Sequence, residues 1–251
     1  LGKVDLDKVG QVYLERFSNA GDFTFFITGN LPVAELKPLV EKYLGALPST
    51  SDREKWIDRG IRPFCGKQER VIEFMGLPTS FVVLSASKEM EDNIRHAVCL
   101  QALKSILQTR CMNVIREKEG GTYAVNVNES VVHEPVARYY LTVEFQCDPL
   151  NAARLKGIVL GELERLCQQA PTRDELMMAL NSIRKKEGEA RETNVYWQEK
   201  LVLYYKTGLN QADAREFEEV VDKLTPAGFL SFMQSFWNES DLTDIVFKPA
   251  N

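Results

Sequence analysis

The sequence is short of the residues that bind metals and of the charge that binds nucleic acid. Only two histidines occur in 251 residues, His96 and His133, and neither sits in an HExxH, HxxEH or HxH pattern. A lone histidine of this kind is most simply structural. The five cysteines, Cys65, Cys99, Cys111, Cys147 and Cys167, form no CxxC pair. That excludes a ribbon-type zinc site, and the odd number argues against a disulfide framework. They read as small core residues and free thiols. The net charge is -5, so there is no basic surplus to neutralise phosphates, and nucleic acid is not an expected partner. No apolar run approaches the roughly 20 residues needed to span a bilayer. No signal peptide is visible, although a chain opening on Leu1 reads as an excised piece.

What remains is ordinary globular material, 44% hydrophobic and 27% charged. Helical periodicity runs over 7–17, with Asp7 as a candidate cap. Phe23 to Thr28 is aromatic and β-branched and reads as a buried strand. Pro32 opens a helix over 32–46. Residues 48–65 are rich in turn formers and read as a linker.

A second unit, 66–251, follows. Strands are expected over 69–74 and 80–86, a long helix over 90–116, and paired strands over 122–132 and 137–146. Helices are expected over 151–169, from a Thr172–Glu175 capping box to about 191, over 194–206 and from Pro226 to Phe236. A last strand covers 243–247. The capped helix and strand of 6–28 thus return about 218 residues later, so the chain reads as the tail of one domain followed by a homologous second one. The fold class is α+β, a mostly antiparallel sheet covered by helices.

The most informative stretch is Arg116-Glu117-Lys118-Glu119-Gly120-Gly121-Thr122-Tyr123. It lies where the long helix ends, the chain turns and a strand begins. That puts a cation and a phenol on the same side of one turn, within reach of a single peptide carbonyl. Two structural alternatives stay open. Arg116 can complement the negative end of its own helix, and Tyr123 can pack as a strand aromatic. Arg184 to Glu192 reads as a solvated helix face. Tyr196 and Trp197 read as core or inter-domain packing.

These residues resemble the pitrilysin/insulinase (M16) family of zinc metallopeptidases. Phe25-Phe26-Ile27-Thr28-Gly29-Asn30-Leu31, with Leu39-Val40-Glu41-Lys42-Tyr43-Leu44 and Leu47-Pro48, is similar to the end of an odd-numbered domain. Arg116 through Tyr123 is similar to that family's most recognisable motif outside the zinc site. The resemblance implies an M16 peptidase-like α+β fold. It implies that 1–47 end a preceding domain, 48–65 link, and 66–251 form a C-terminal domain without zinc. It implies zinc in the full-length protein, a peptide substrate, and an N-terminal zinc-bearing half or partner subunit closing over it. Arg116 would contact the substrate backbone, and Tyr123 would donate to the carbonyl or oxyanion as zinc-bound water attacks. His96-Ala97-Val98-Cys99-Leu100 lacks the family's metal ligands, so this segment alone is expected to bind no metal and to be inactive. The alternative is a non-catalytic partner or scaffold subunit of the same fold, resembling those of processing peptidases or respiratory complexes. The sequence does not separate a bacterial periplasm from a cytoplasm.

Overall fold

The computed structural model describes residues 4–75, 78–119 and 125–250, and only the backbone of 115–119. Two helices come first, α1 (Leu6–Phe17) and α2 (Val33–Tyr43). The cap of α1 is Asp5 and not Asp7: its carboxylate accepts from the Asp7 and Lys8 amides, while Asp7 lies inside the first turn. A 3-10 turn follows at Ala20–Asp22.

Phe23 to Thr28 forms no strand, which corrects the expectation above. β-propensity describes a side chain that suits a pleated, covered surface, and a strand also needs a neighbour for its backbone groups. Among the described residues no strand pairs with this segment. It runs instead along a later helix, where Phe26 meets the Tyr205 ring edge-on at 5.5 Å and Thr24 Oγ1 lies 3.1 Å from the Tyr205 hydroxyl. Residues 48–65 form no helix or strand. Asn19 and Asp22 tie their start, accepting from the Thr50 and Glu54 amides at 2.8 and 2.9 Å.

The rest builds one sheet. Its strands are β1 (Lys67–Phe74), β2 (Ser80–Glu89), β3 (Val125–Val132), β4 (Arg138–Cys147) and β5 (Asp241–Pro249). The order is β1-β5-β2-β4-β3, with only β1 and β5 parallel. Helices α3 (Ile94–Glu119), α4 (Ala152–Gln168), α5 (Arg173–Arg191), α6 (Asn194–Thr207), α7 (Ala214–Lys223) and α8 (Pro226–Trp237) complete the domain. Helix α7 was not expected from periodicity; its run is short, and Phe217 and Val221 are its only buried residues.

Strand alternation explains the layering. Val82, Leu84 and Ala86 of β2 and Tyr139, Leu141, Val143 and Phe145 of β4 all face the helices and are buried. Leu103 and Leu107 of α3, Leu155 of α4 and Phe229 and Phe236 of α8 meet them in a single core. Two cations stitch the sheet, Arg138 buried and Lys156 partly buried. Arg138 Nη1 donates to Asp241 Oδ2 at 2.7 Å and to Ser87 Oγ at 3.0 Å, joining three strands. Lys156 Nζ donates to Asp244 Oδ2 at 2.7 Å and to Glu69 Oε1 at 2.6 Å, holding α4 across β1 and β5.

Candidate functional site

The junction between α3 and β3 is built from the helix upward. Helix α3 opens on Asn93, whose side-chain oxygen accepts from the His96 amide at 2.8 Å. His96 itself donates through Nδ1 to the Glu91 carbonyl at 2.8 Å and packs beside Tyr139 and Phe232. His133 is held by Asp92 at 2.5 Å. Both histidines therefore have structural partners. Among the described residues no three His, Cys, Asp or Glu side chains converge on one point, so these residues do not fit a zinc ion. Cys99 and Cys111 lie in the core, where burial pushes their thiols up to about 12. They are not nucleophiles at neutral pH.

Farther along α3, polar residues fix the helix on both sides. Lys104 pairs with Glu129 of β3 at 2.8 Å. Gln108 Nε2 donates to the Val125 carbonyl, and Gln108 Oε1 accepts from the Val127 amide at 2.8 Å. On the opposite side Arg110 donates to both oxygens of Glu175, at 2.8 and 3.1 Å. This two-pronged geometry suits a guanidinium and a carboxylate. Glu175 also closes the Thr172 capping box of α5, accepting from the Thr172 amide at 2.8 Å. The Arg110 guanidinium, and then the Thr172 donors, hold the Glu175 carboxyl at about 2. Glu162, buried on α4, lies 3.9 Å from Arg110 and 2.9 Å from Arg165.

The expected site residues stand beyond this frame. Helix α3 runs to Glu119, so Arg116 belongs to its last turn, but its side chain is not among the described atoms. Gly120, Gly121 and Tyr123 lie outside the described residues. Cavities of about 240 and 180 Å³ flank the frame on its α5 and β3 sides, lined by Ser105, Thr109, Glu175 and Ser182 and by Lys104, Gln108 and Glu129. A larger one, about 690 Å³, lies away from it between α6 and the β3–β4 hairpin, at His133, Leu203 and Lys206.

Other expectations divide. Tyr196 is buried and donates to Glu187 at 2.5 Å, while Trp197 is half-exposed and donates to the Arg191 carbonyl. Arg184 is not merely solvated: it joins α5 to α7 through Glu218 and Asp222, both at 2.7 Å. Sequence reasoning missed Gln108, Arg110, Glu129 and Glu162. The capping box gave Glu175 its local role, but nothing local announces its second partner on α3.

Residues 3–183 match the family model described as the peptidase M16 inactive domain. The chain belongs to that family. An Arabidopsis thaliana relative, a zinc protease PQQL-like protein, is 24% identical over 231 residues, covering 85% of this chain and 24% of its own length. The probable zinc protease PqqL of Haemophilus influenzae is 24% identical over 153 residues, covering 60% of this chain and 16% of itself. Among solved structures, the periplasmic protease PqqL from Escherichia coli superposes with a TM-score of 0.72 at 16% identity, covering 88% of this chain and 25% of that one. The ferredoxin protease FusC, solved with Arabidopsis ferredoxin, also gives 0.72 at 16% identity, covering 89% and 24%. These likenesses establish an M16 peptidase fold. The M16 chain described here spans about a quarter or less of the curated relatives it matches. It is a domain of the inactive M16 type, and its homologues are zinc proteases.

Proposed function

We propose that this M16 chain is the substrate-positioning segment of a zinc-dependent metalloendopeptidase that hydrolyses peptides in a closing chamber. The metal and the general base belong to another part of the full-length protein or to a partner subunit. Residues 1–47 are the tail of a preceding M16-like domain, 48–65 the linker, and 66–251 the C-terminal domain without zinc. The observation that carries the reading is the match to the inactive M16 domain, in a chain whose Arg116-to-Tyr123 motif joins the end of α3 to the edge strand β3.

Arg116 would bind the substrate backbone beside the scissile bond. Tyr123 would donate its hydroxyl to the substrate carbonyl oxygen, where negative charge grows during attack. A positioned donor in a closed, dry site is worth far more than in water. Because the site is shared between segments, closure assembles it and gates turnover.

Peptide cleavage by the full-length protein, with and without chelator, tests the reaction class. Chelation abolishes it if the reading is correct. Tyr123→Phe is expected to lower kcat roughly 100-fold and to leave KM within about threefold, since the hydroxyl acts mainly in the transition state. An unchanged kcat assigns Tyr123 to packing. A full-length protein that cleaves nothing, alone or with a zinc-bearing partner, is instead a scaffold of the same fold.

A further inference from the structure

We propose that the cavity beside α6 docks the C-terminal end of a peptide, with Lys200 taking the terminal carboxylate and aliphatic walls taking the last side chain. That the ligand is a peptide rests on the function proposed above; neither Arg116 nor Tyr123 takes part.

Helix α6 and the turn after it build the floor. Gly208 closes α6 with a φ of 76°, a left-handed conformation that glycine adopts without strain. The chain then folds back, and Gln211 Oε1 accepts from Lys200 Nζ at 3.1 Å. Lys200 also stands over the Tyr196 ring, 5.5 Å from its centre. Among the described residues no carboxylate forms an ion pair with it. Glu187 is already taken by the Tyr196 hydroxyl at 2.5 Å and by Arg191 at 2.9 Å. Burial pushes the Lys200 ammonium down from the ordinary lysine range, and Glu187 and Glu199 oppose this only through space. A second donor is unmet at the same place, since Gln211 Nε2 is buried without an acceptor.

Charge and shape narrow the ligand. Arg191 and Lys200 both lie against the Tyr196 ring, and Glu187 balances only one of them. A single carboxylate balances the other, whereas a doubly charged phosphate would overshoot. A carboxylate also has two oxygens, enough for both unmet donors. Above the floor, Val195, Val202 and Leu203 of α6 face Val132 of β3 across a cavity of about 690 Å³. That volume lies within the roughly 300–1,000 Å³ usual for ligand sites. Aliphatic walls favour a carboxylate carried on an apolar group over an inorganic anion. The rim is polar: His133 is paired with Asp92, Lys206 lies 4.0 Å from Glu134, and Glu199 is exposed and screened by water. A peptide backbone leaving the cavity suits such a rim, and a continuing hydrocarbon chain does not.

The test uses the full-length protein with its zinc chelated, so that no probe is cleaved. The probes are a short fluorescein-labelled peptide ending in two leucines with a free carboxylate, and the same peptide as its C-terminal amide. Fluorescence anisotropy should show wild type binding the acid about tenfold more tightly than the amide. Lys200→Gln should reduce that preference to less than about twofold. So should Gln211→Glu, which sets a carboxylate of the protein itself beside Lys200. Unfolding midpoints show which variants are folded, and the wild-type comparison needs neither of them.

Equal binding of acid and amide by wild type overturns the site. A preference that survives in either folded variant overturns it too. Decanoate that displaces the acid peptide at a lower concentration than the amide does gives the cavity to a fatty acid and overturns the peptide. None of these outcomes touches the peptidase reading, which stands or falls on chelator-sensitive cleavage. A protein that cleaves nothing but keeps the acid preference loses that reading and retains the site.

Discussion

Helices α1 and α8 are both twelve residues long, both capped by a side chain, and both followed by a segment carrying β-branched and aromatic residues. Their surroundings differ completely. Phe229, Phe232 and Met233, the fourth, seventh and eighth residues of α8, are 0%, 5% and 0% exposed. Val9, Val12 and Tyr13 occupy the same places in α1 and are 54%, 49% and 61% exposed. The segment after α8 is β5, paired on both sides, while the one after α1 pairs with no described strand. The same amphipathic pattern therefore codes for a helix that covers something, and among the described residues that surface is present only in the second unit. A hydrophobic stripe specifies a face, and the covering layer must come from elsewhere in the sequence or from another molecule.

The largest effect that tests this contrast is Phe229→Ala. The ring is fully buried in the core, so its removal leaves a cavity lined by side chains that collapse only in part. The expected cost is about 3–5 kcal/mol, read from urea unfolding at neutral pH. A loss below about 1 kcal/mol would mean that α8 is no better covered than α1.

Much of the second unit was legible because local signals and burial agree there. The alternation of β2 and β4, the long apolar period of α3 and the Thr172 capping box each name an element that forms where expected. Phe23 to Thr28 was misread because its side chains favour a sheet but its backbone has no partner. Asp7 reads as a cap in sequence, but Asp5 stands two residues earlier, and only geometry shows that it is the one that accepts the amides. The Arg116–Tyr123 motif was visible as a helix-to-strand junction. The frame behind it was not, since Gln108 reaches 17 to 19 residues along the chain and Arg110 reaches 65. Such contacts leave no periodic trace.

An intermediate effect comes from that frame. The Glu175 carboxyl is held near 2, below its ordinary 4.5, mainly by Arg110. A carboxyl lowered by folding stabilises the protein above its unfolded value and loses that contribution as pH falls through its folded one. Glu175→Gln keeps a capping-box residue at this position but removes the charge. The stability difference between wild type and variant should be about 1 kcal/mol at pH 7, after allowance for a side chain one-third exposed. It should shrink between about pH 5 and pH 2. A difference constant over that range would show that Arg110 and Glu175 do not pair in solution.

The smallest expected effect is the sharpest test of the contrast. Val9→Ala stands at the position matching Phe229, yet Val9 is more than half exposed. Little apolar area returns to water, and alanine gains about 0.5 kcal/mol of helix propensity over valine. Stability should therefore move by no more than about 0.5 kcal/mol, and in the stabilising direction if the residue is as exposed as the fold indicates. The measurement is the same urea midpoint, taken at several protein concentrations. A loss of about 1 kcal/mol or more at every concentration would mean that this chain covers α1 itself. A loss that grows with concentration would mean that another copy covers it. A null result leaves α1 as a helix whose apolar face is patterned for a layer that the described residues do not supply.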